Sequence, residues 1–236
     1  MERLQKVLAR AGFASRRRAE ALILEKRVKV NGRVVDRLGT TVDPARDRVT
    51  VDDEPVSAER PVHFAFNKPR HVLCTSRDAA GRRTVTDYFR NVAQRVYTVG
   101  RLDWDADGLL FVTNDGAFAQ RVGHPSSGVP KVYVVEVTGR VGTRELERLR
   151  RGVRHRRELL RAAGVKLLAA STRASRLEVT LHGGRNRHIK RMFEALGHET
   201  TAITRVAIGA VKLGPLKPGR HRRLTRTEIE SFGGRP

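Results

Sequence analysis

Gly100-Arg101-Leu102-Asp103-Trp104-Asp105-Ala106-Asp107-Gly108-Leu109-Leu110-Phe111-Val112-Thr113-Asn114-Asp115-Gly116 is the stretch on which the reading of the whole chain turns. Three carboxylates alternate through a compact loop, a wholly apolar run follows, and Asn-Asp-Gly ends it as a turn. An apolar run this short, bounded by turn residues, predicts a buried strand. That strand would hold the acidic loop at its entrance. Carboxylates fixed there are candidates for chemistry in a way that carboxylates on a solvated helix are not.

The surrounding composition narrows the chemistry. The chain has 236 residues, enough for one large domain or a medium domain with a small appendage. With 48 Lys+Arg against 25 Asp+Glu its formal net charge is +23, a field that attracts polyanions and above all nucleic acid. No segment approaches the roughly 18 consecutive apolar residues of a membrane span. Met1 leads straight into an amphipathic helix without a signal-peptide core, so a cytoplasmic protein is expected. The single Cys74 excludes an internal disulfide and any Cys-based zinc site, and reads as a small buried residue.

Towards the N-terminus, Leu4, Val7, Leu8 and Ala11 share one helical face that Gly12 ends. Ser15 is placed to cap a second helix with Ala19, Leu22 and Ile23 on its buried face. That helix begins Arg16-Arg17-Arg18, where the macrodipole disfavours cations, which points to phosphate contact rather than a merely solvated face. Asn31-Gly32 between Val28-Lys29-Val30 and Arg33-Val34-Val35 is a hairpin signal, because a type I′ turn needs positive φ at both central residues. Val49-Thr50-Val51 should close the small sheet.

Two helices and a hairpin with this spacing resemble the S4 RNA-binding domain. The resemblance implies backbone recognition of structured RNA, with Arg3, Ser15, Arg16, Arg17, Lys26, Arg27, Lys29 and Asn31 as candidate contacts. Residues 1–55 are assigned to this domain, 56–61 to a proline-bracketed linker, and 62–236 to a second domain.

In that second domain strands and helices alternate. His63 to Phe66 reads as a strand ending at Asn67-Lys68-Pro69, and Thr84 to Phe89 as a helical turn. Lys131 to Val137 is a β-rich run, and Leu177 to Leu181 alternates as a half-buried strand. Leu146, Leu149 and Val153 mark a helix with a basic outer face. Gly183-Gly184-Arg185-Asn186 opens a helix with Ile189, Met192, Phe193 and Leu196 inside and Gly197 as its stop. A strand from Val206 to Leu213 precedes Thr225-Arg226-Thr227-Glu228, a capping box for a terminal helix. The fold class is α+β, with a small N-terminal domain of helices plus hairpin and a larger domain on a mixed, mainly antiparallel sheet.

By itself the acidic loop admits three readings. Asp103-x-Asp105-x-Asp107-Gly108 opens like a calcium loop, but its twelfth position is Asn114 where a bidentate Glu is needed. A hydrolase dividing acid and base roles between Asp103 and Asp105 finds no nucleophile elbow, metal cluster or phosphate loop beside it. A solvated surface loop is the plain alternative.

Beyond the loop, Gly100-Arg101-Leu102-Asp103, Gly108-Leu109-Leu110 and Thr113-Asn114-Asp115-Gly116 resemble the catalytic motif of ribosomal RNA pseudouridine synthases of the RsuA/RluB/RluE/RluF type. Asn67-Lys68-Pro69 resembles that family's first motif, Lys131-Val132-Tyr133-Val134-Val135 its Lys-x-Tyr-x-Val strand, and Gly184 to Phe193 its basic third motif. An N-terminal S4 domain is also the family's usual arrangement. The chain departs from the pattern at Gly183 (often Glu), His188 (usually Gln) and Lys190 (often Arg).

The resemblance implies isomerisation of uridine to pseudouridine with no cofactor and no metal. It casts Asp103 as the catalytic carboxylate beside the ribose, Lys190 as the cation that keeps it ionised, and Tyr133 as a flat face and phenol for the flipped uracil. Lys68, Arg101, Arg185, Arg187 and Arg191 are its candidate RNA contacts around the pocket. The implied partner is ribosomal RNA or an assembling ribosomal particle, met by a monomer without membrane involvement. The His124-Pro125 segment leans to large-subunit enzymes, and the ending Lys190-Arg191-Met192-Phe193 to small-subunit ones, with the large subunit favoured. A non-catalytic RNA-binding or ribosome-assembly protein is the rival reading.

Overall fold

The computed structural model describes residues 1–76 and 78–233. Two compact units divide it: Met1–Val62 with Val92–Arg95 and Asn114–Gly116, and His63–Asn91 with Val96–Thr113 and Ala117–Pro236.

In the first unit the helices Leu4–Arg10 and Arg16–Leu24 form where the apolar spacing predicts. Ser15 caps the second helix, its hydroxyl accepting from the Arg18 amide at 3.2 Å. The strands Val28–Val30 and Arg33–Val35 flank Asn31 and Gly32, whose φ values of 51° and 79° make the tight hairpin turn. Val49–Val51 joins the open edge of Val28–Val30, and Glu54–Pro55 extends the sheet beyond it. Leu4, Leu8, Ala19, Ile23, Val28 and Val51 close one core between helices and sheet.

The second unit is built on a nine-stranded sheet that is antiparallel except at one junction. Its centre is Asp107–Thr113, the predicted buried strand. This strand pairs antiparallel with His63–Lys68 and with Tyr97–Val99, and parallel with Thr200–Ile208. The apolar run does not alternate because both its faces are covered. Leu109 and Phe111 pack under Phe118 and Val122 of the Gly116–Gly123 helix. Register places Val112 beside Phe64 and Leu110 beside Phe66, and both phenylalanine rings meet Phe89. Phe89 ends the short 3-10 turn Val85–Phe89, whose start is fixed by a Thr84–Asp87 capping box.

Outward from Thr200–Ile208 the sheet continues through Lys131–Thr138, Ala174–Leu181 and Gly164–Ala170. Several boundaries differ from expectation. The predicted helix through Val153 stops at Arg151, with Gly152 at φ 122°, and Val153 instead begins a hairpin, Val153–His155 with Glu158–Leu160. The strand expected from Val206 starts at Thr200. The Asn114-Asp115-Gly116 turn leads into a helix, Gly116–Gly123, that the sequence reading does not include. The terminal helix Arg226–Glu230 carries the predicted capping box at Thr225.

Candidate active site

One row across three adjacent strands sets the site. Tyr133 lies opposite Arg205, and Arg205 lies opposite Gly108 at the parallel junction. Gly108 has φ 102°, and a Cβ there would sit 2.4 Å from the Arg205 carbonyl oxygen, so only glycine lets the two strands meet. The acidic loop therefore leaves the sheet beside the tyrosine strand.

Buried polar groups then tie the loop down. Lys68, fully buried at the end of His63–Lys68, donates through Nζ to the Ala106 carbonyl at 2.7 Å and the Pro69 carbonyl at 2.8 Å. Burial pulls its pKa below the ordinary lysine value. The Trp104 carbonyl accepts from the His71 amide at 2.7 Å, and the Leu102 amide donates to Cys74 Sγ at 3.4 Å. Burial pushes the Cys74 thiol up, so it stays neutral. Arg70 reaches Asp107 at 3.3 Å.

So held, the loop forms one wall of a cavity of about 260 Å³. Gly100, Arg101, Asp103, Tyr133, Arg185, Arg187 and Lys190 all line it, although they come from three distant segments. The half-buried Asp103 carboxylate makes no ion pair and no side-chain hydrogen bond among the described residues. Lys190, on the His188–Glu194 helix, pairs with Asp105 rather than with Asp103, which corrects the expected pairing. The physical reason is placement: Asp105 is the carboxylate in reach of the ammonium. Burial pushes Asp105 up, but the hydrogen bond and charge of Lys190 outweigh it and hold the carboxyl below its ordinary value. Lys190 thus offers a cation to the loop through Asp105.

Tyr133 is buried, and its phenol accepts from Arg205 Nη1 at 3.4 Å. Arg205 falls just outside the strand expected from Val206, because the strand begins at Thr200. It is 2 % exposed, donates through Nε to the Leu109 carbonyl at 2.6 Å, and places its guanidinium 5.9 Å from the Tyr133 ring centre. An arginine at an inward position of an alternating strand was the signal available. His188 also lines the cavity; burial and then the charges of Arg185 and Arg191 depress its pKa, so it is neutral near pH 7. Among the described residues, no cluster of His, Cys, Asp or Glu stands where it could hold a metal ion.

This arrangement can bind a neutral planar ring against Tyr133 and present an unpaired carboxylate to what is attached to that ring. Comparison with known proteins bears on it directly. A profile described as RNA pseudouridylate synthase matches residues 62–195, and an S4 domain profile matches residues 2–49. The chain belongs to the RNA pseudouridylate synthase family. The ribosomal large subunit pseudouridine synthase B of Bacillus subtilis is 45% identical to this synthase over 98% of its chain and 95% of the relative. An uncharacterised RNA pseudouridine synthase of Aquifex aeolicus is 41% identical over 96% and 92%. A crystal structure of a pseudouridylate synthase superposes with a TM-score of 0.69 at 29% identity, covering 98% of this chain and all of the other.

The remaining candidate contacts of the synthase divide by environment. Arg3, Arg16, Arg17 and Lys26 are exposed. Arg27 is bound by Asp52 and Glu25, and Lys29 by Asp53 at 2.6 Å, so acidic neighbours already engage them. Asn31 holds its own turn, donating to Asp47 and accepting from the Arg48 amide, both at 2.9 Å. Ser15 spends its hydroxyl on the helix cap. Lys68 is the clear correction: a fully buried ammonium clamped by two carbonyls cannot meet a phosphate. No helix is long and apolar enough to cross a membrane, among the described residues.

Proposed function

We propose that this synthase converts uridine to pseudouridine in large-subunit ribosomal RNA, acting as a cytoplasmic monomer on the RNA or on an assembling particle. Residues 1–55 dock the RNA, 56–61 link, and 62–236 carry the chemistry. The observation that carries the reading is the cavity in which an unpaired Asp103 meets Tyr133 and Lys190. The choice of large-subunit RNA is supported by the name and near-complete coverage of the Bacillus subtilis relative.

Pseudouridine formation conserves atoms. The C1′–N1 bond breaks, the uracil turns, a C1′–C5 bond forms, the C5 proton leaves, and N1 gains a proton. Asp103 is the group that engages the sugar, either attacking C1′ or taking a sugar proton. An unpaired, half-buried carboxylate suits either role because nothing must be displaced to free it. The ion pair with Asp105 holds the Lys190 ammonium at the loop, and its charge there opposes protonation of Asp103 as the site closes on RNA. Tyr133 supplies the face against which the detached base turns, and its phenol stands ready to help carry the C5 proton. The flipped nucleotide leaves its stack, and Arg101 and Arg187 at the rim meet the phosphates on either side.

The test is tritium release from C5-labelled uridine in transcripts of large- and small-subunit ribosomal RNA. Release from the large-subunit transcript, or from large-subunit particles, supports the proposal. Release from small-subunit RNA alone contradicts its choice of substrate, and no release from any form contradicts the function.

A further inference from the structure

Beside the active-site cavity lies a second one, of about 770 Å³, within the range of binding pockets (roughly 300–1,000 Å³). Its walls are the Val153–Leu160 hairpin, which the family motifs do not include, and the His188–Glu194 helix. Asn186 and Arg187 line both cavities, so the two are contiguous.

The charges in this second cavity are sorted. Glu158 holds Arg185 at 3.3 Å and Arg191 at 3.2 Å. His155 accepts from Arg191 Nε at 3.3 Å and meets Glu194 at 3.3 Å. These groups form a neutralised frame. Arg156, Arg157 and Arg187 remain without an ion pair or side-chain hydrogen bond among the described residues, all three exposed and all lining the same cavity. Two of them also occupy the left-handed region, Arg156 at φ 54° and Arg187 at φ 48°. Turn positions of that kind favour Gly, Asn or Asp. Arginine there gains nothing for the turn itself, and Arg187 caps its helix with no side-chain hydrogen bond.

We propose that this hairpin cavity is a phosphate-binding subsite for the RNA strand adjoining the flipped uridine. Three unpaired guanidiniums around one concavity offer three cations to the phosphates of a strand, and each guanidinium can grip phosphate oxygens in bidentate fashion. The shared Asn186–Arg187 corner leads the strand from one cavity into the other. This rests on the RNA-modifying reading above and adds the track by which the substrate strand leaves the catalytic cavity.

The experiment is equilibrium binding of a large-subunit ribosomal RNA transcript across a salt series, with turnover measured alongside. The variant carries Arg156→Gly and Arg157→Ala; glycine at 156 keeps the left-handed turn. A control carries Arg140→Ala and Arg173→Ala, in loops at the far end of the Lys131–Thr138 and Ala174–Leu181 strands. The hairpin variant should lower the slope of log affinity against log salt by about 1.4, two contacts at roughly 0.7 each on single-stranded RNA. It should raise KM about tenfold or more and leave kcat within about twofold, while the control shifts the slope by less than half as much. Equal slopes for variant and control overturn the subsite. The binding arm does not depend on turnover, so an inactive parent protein would count against the function proposed above while the slopes still decide the subsite.

Discussion

Arg205 lies at the crossing of three strands, and its guanidinium has two visible duties: it donates to the Leu109 carbonyl and to the Tyr133 phenol. Its Nη2 is enclosed with no hydrogen-bond partner among the described residues. A buried cation so incompletely satisfied is costly, and such cost is retained where it fixes a group that must not move. Tyr133 receives that guanidinium's hydrogen bond and lines the cavity, and on the proposed function it is the group to be held. Arg205→Met should therefore leave RNA affinity unchanged and lower kcat about 10–100-fold, the scale of a small misplacement in a catalytic constellation. Arg205→Lys should recover part of the loss. Single-turnover kinetics and filter binding check this, and an unchanged kcat in the methionine variant would remove the positioning role.

At the scale of elements, the junction of Asp107–Thr113 with Thr200–Ile208 decides where the catalytic loop points. Gly108→Ala puts a Cβ against the Arg205 backbone at a φ that side chains rarely adopt. The expected cost is about 2 kcal/mol or more from backbone strain alone, seen as a lower denaturant midpoint, together with loss of turnover. A variant with parental stability would show that the junction can relax. Much of this architecture was legible in the sequence. The apolar run at Leu109–Val112, the Asn31-Gly32 turn, the Ser15 cap and the Thr225 capping box each carry a local physical signal. What escaped had none. The Val153–Leu160 hairpin carries three arginines and one glutamate among its eight residues, and its turn is made by Arg156 without glycine or asparagine. Lys68 looked like a phosphate ligand because sequence shows charge but not burial. The pairing of Lys190 with Asp105 rather than Asp103 is a matter of loop geometry that alternating aspartates cannot reveal.

For the whole molecule, the net charge of +23 and the sorting of its cations belong together. Many arginines and lysines are tied to carboxylates, Arg27 with Asp52 and Arg222 with Glu228 among them, and contribute little to long-range attraction beyond the summed field. Arg16 and Arg17 of the S4 domain, and Arg156, Arg157 and Arg187 of the catalytic domain, are exposed and without a side-chain partner among the described residues. On the proposed function, RNA affinity is spread over both units, whereas catalysis is concentrated in one carboxylate. That separation is the central claim, and the most direct measurement compares turnover and RNA affinity in Asp103→Asn and Asp105→Asn. Asp103→Asn should abolish tritium release while its affinity for the transcript stays within about twofold, a single charge among so many changing the field little. Asp105→Asn should retain measurable release, because it frees Lys190 without removing the reacting group. Persistent turnover in Asp103→Asn, or equal loss in both, would contradict the account.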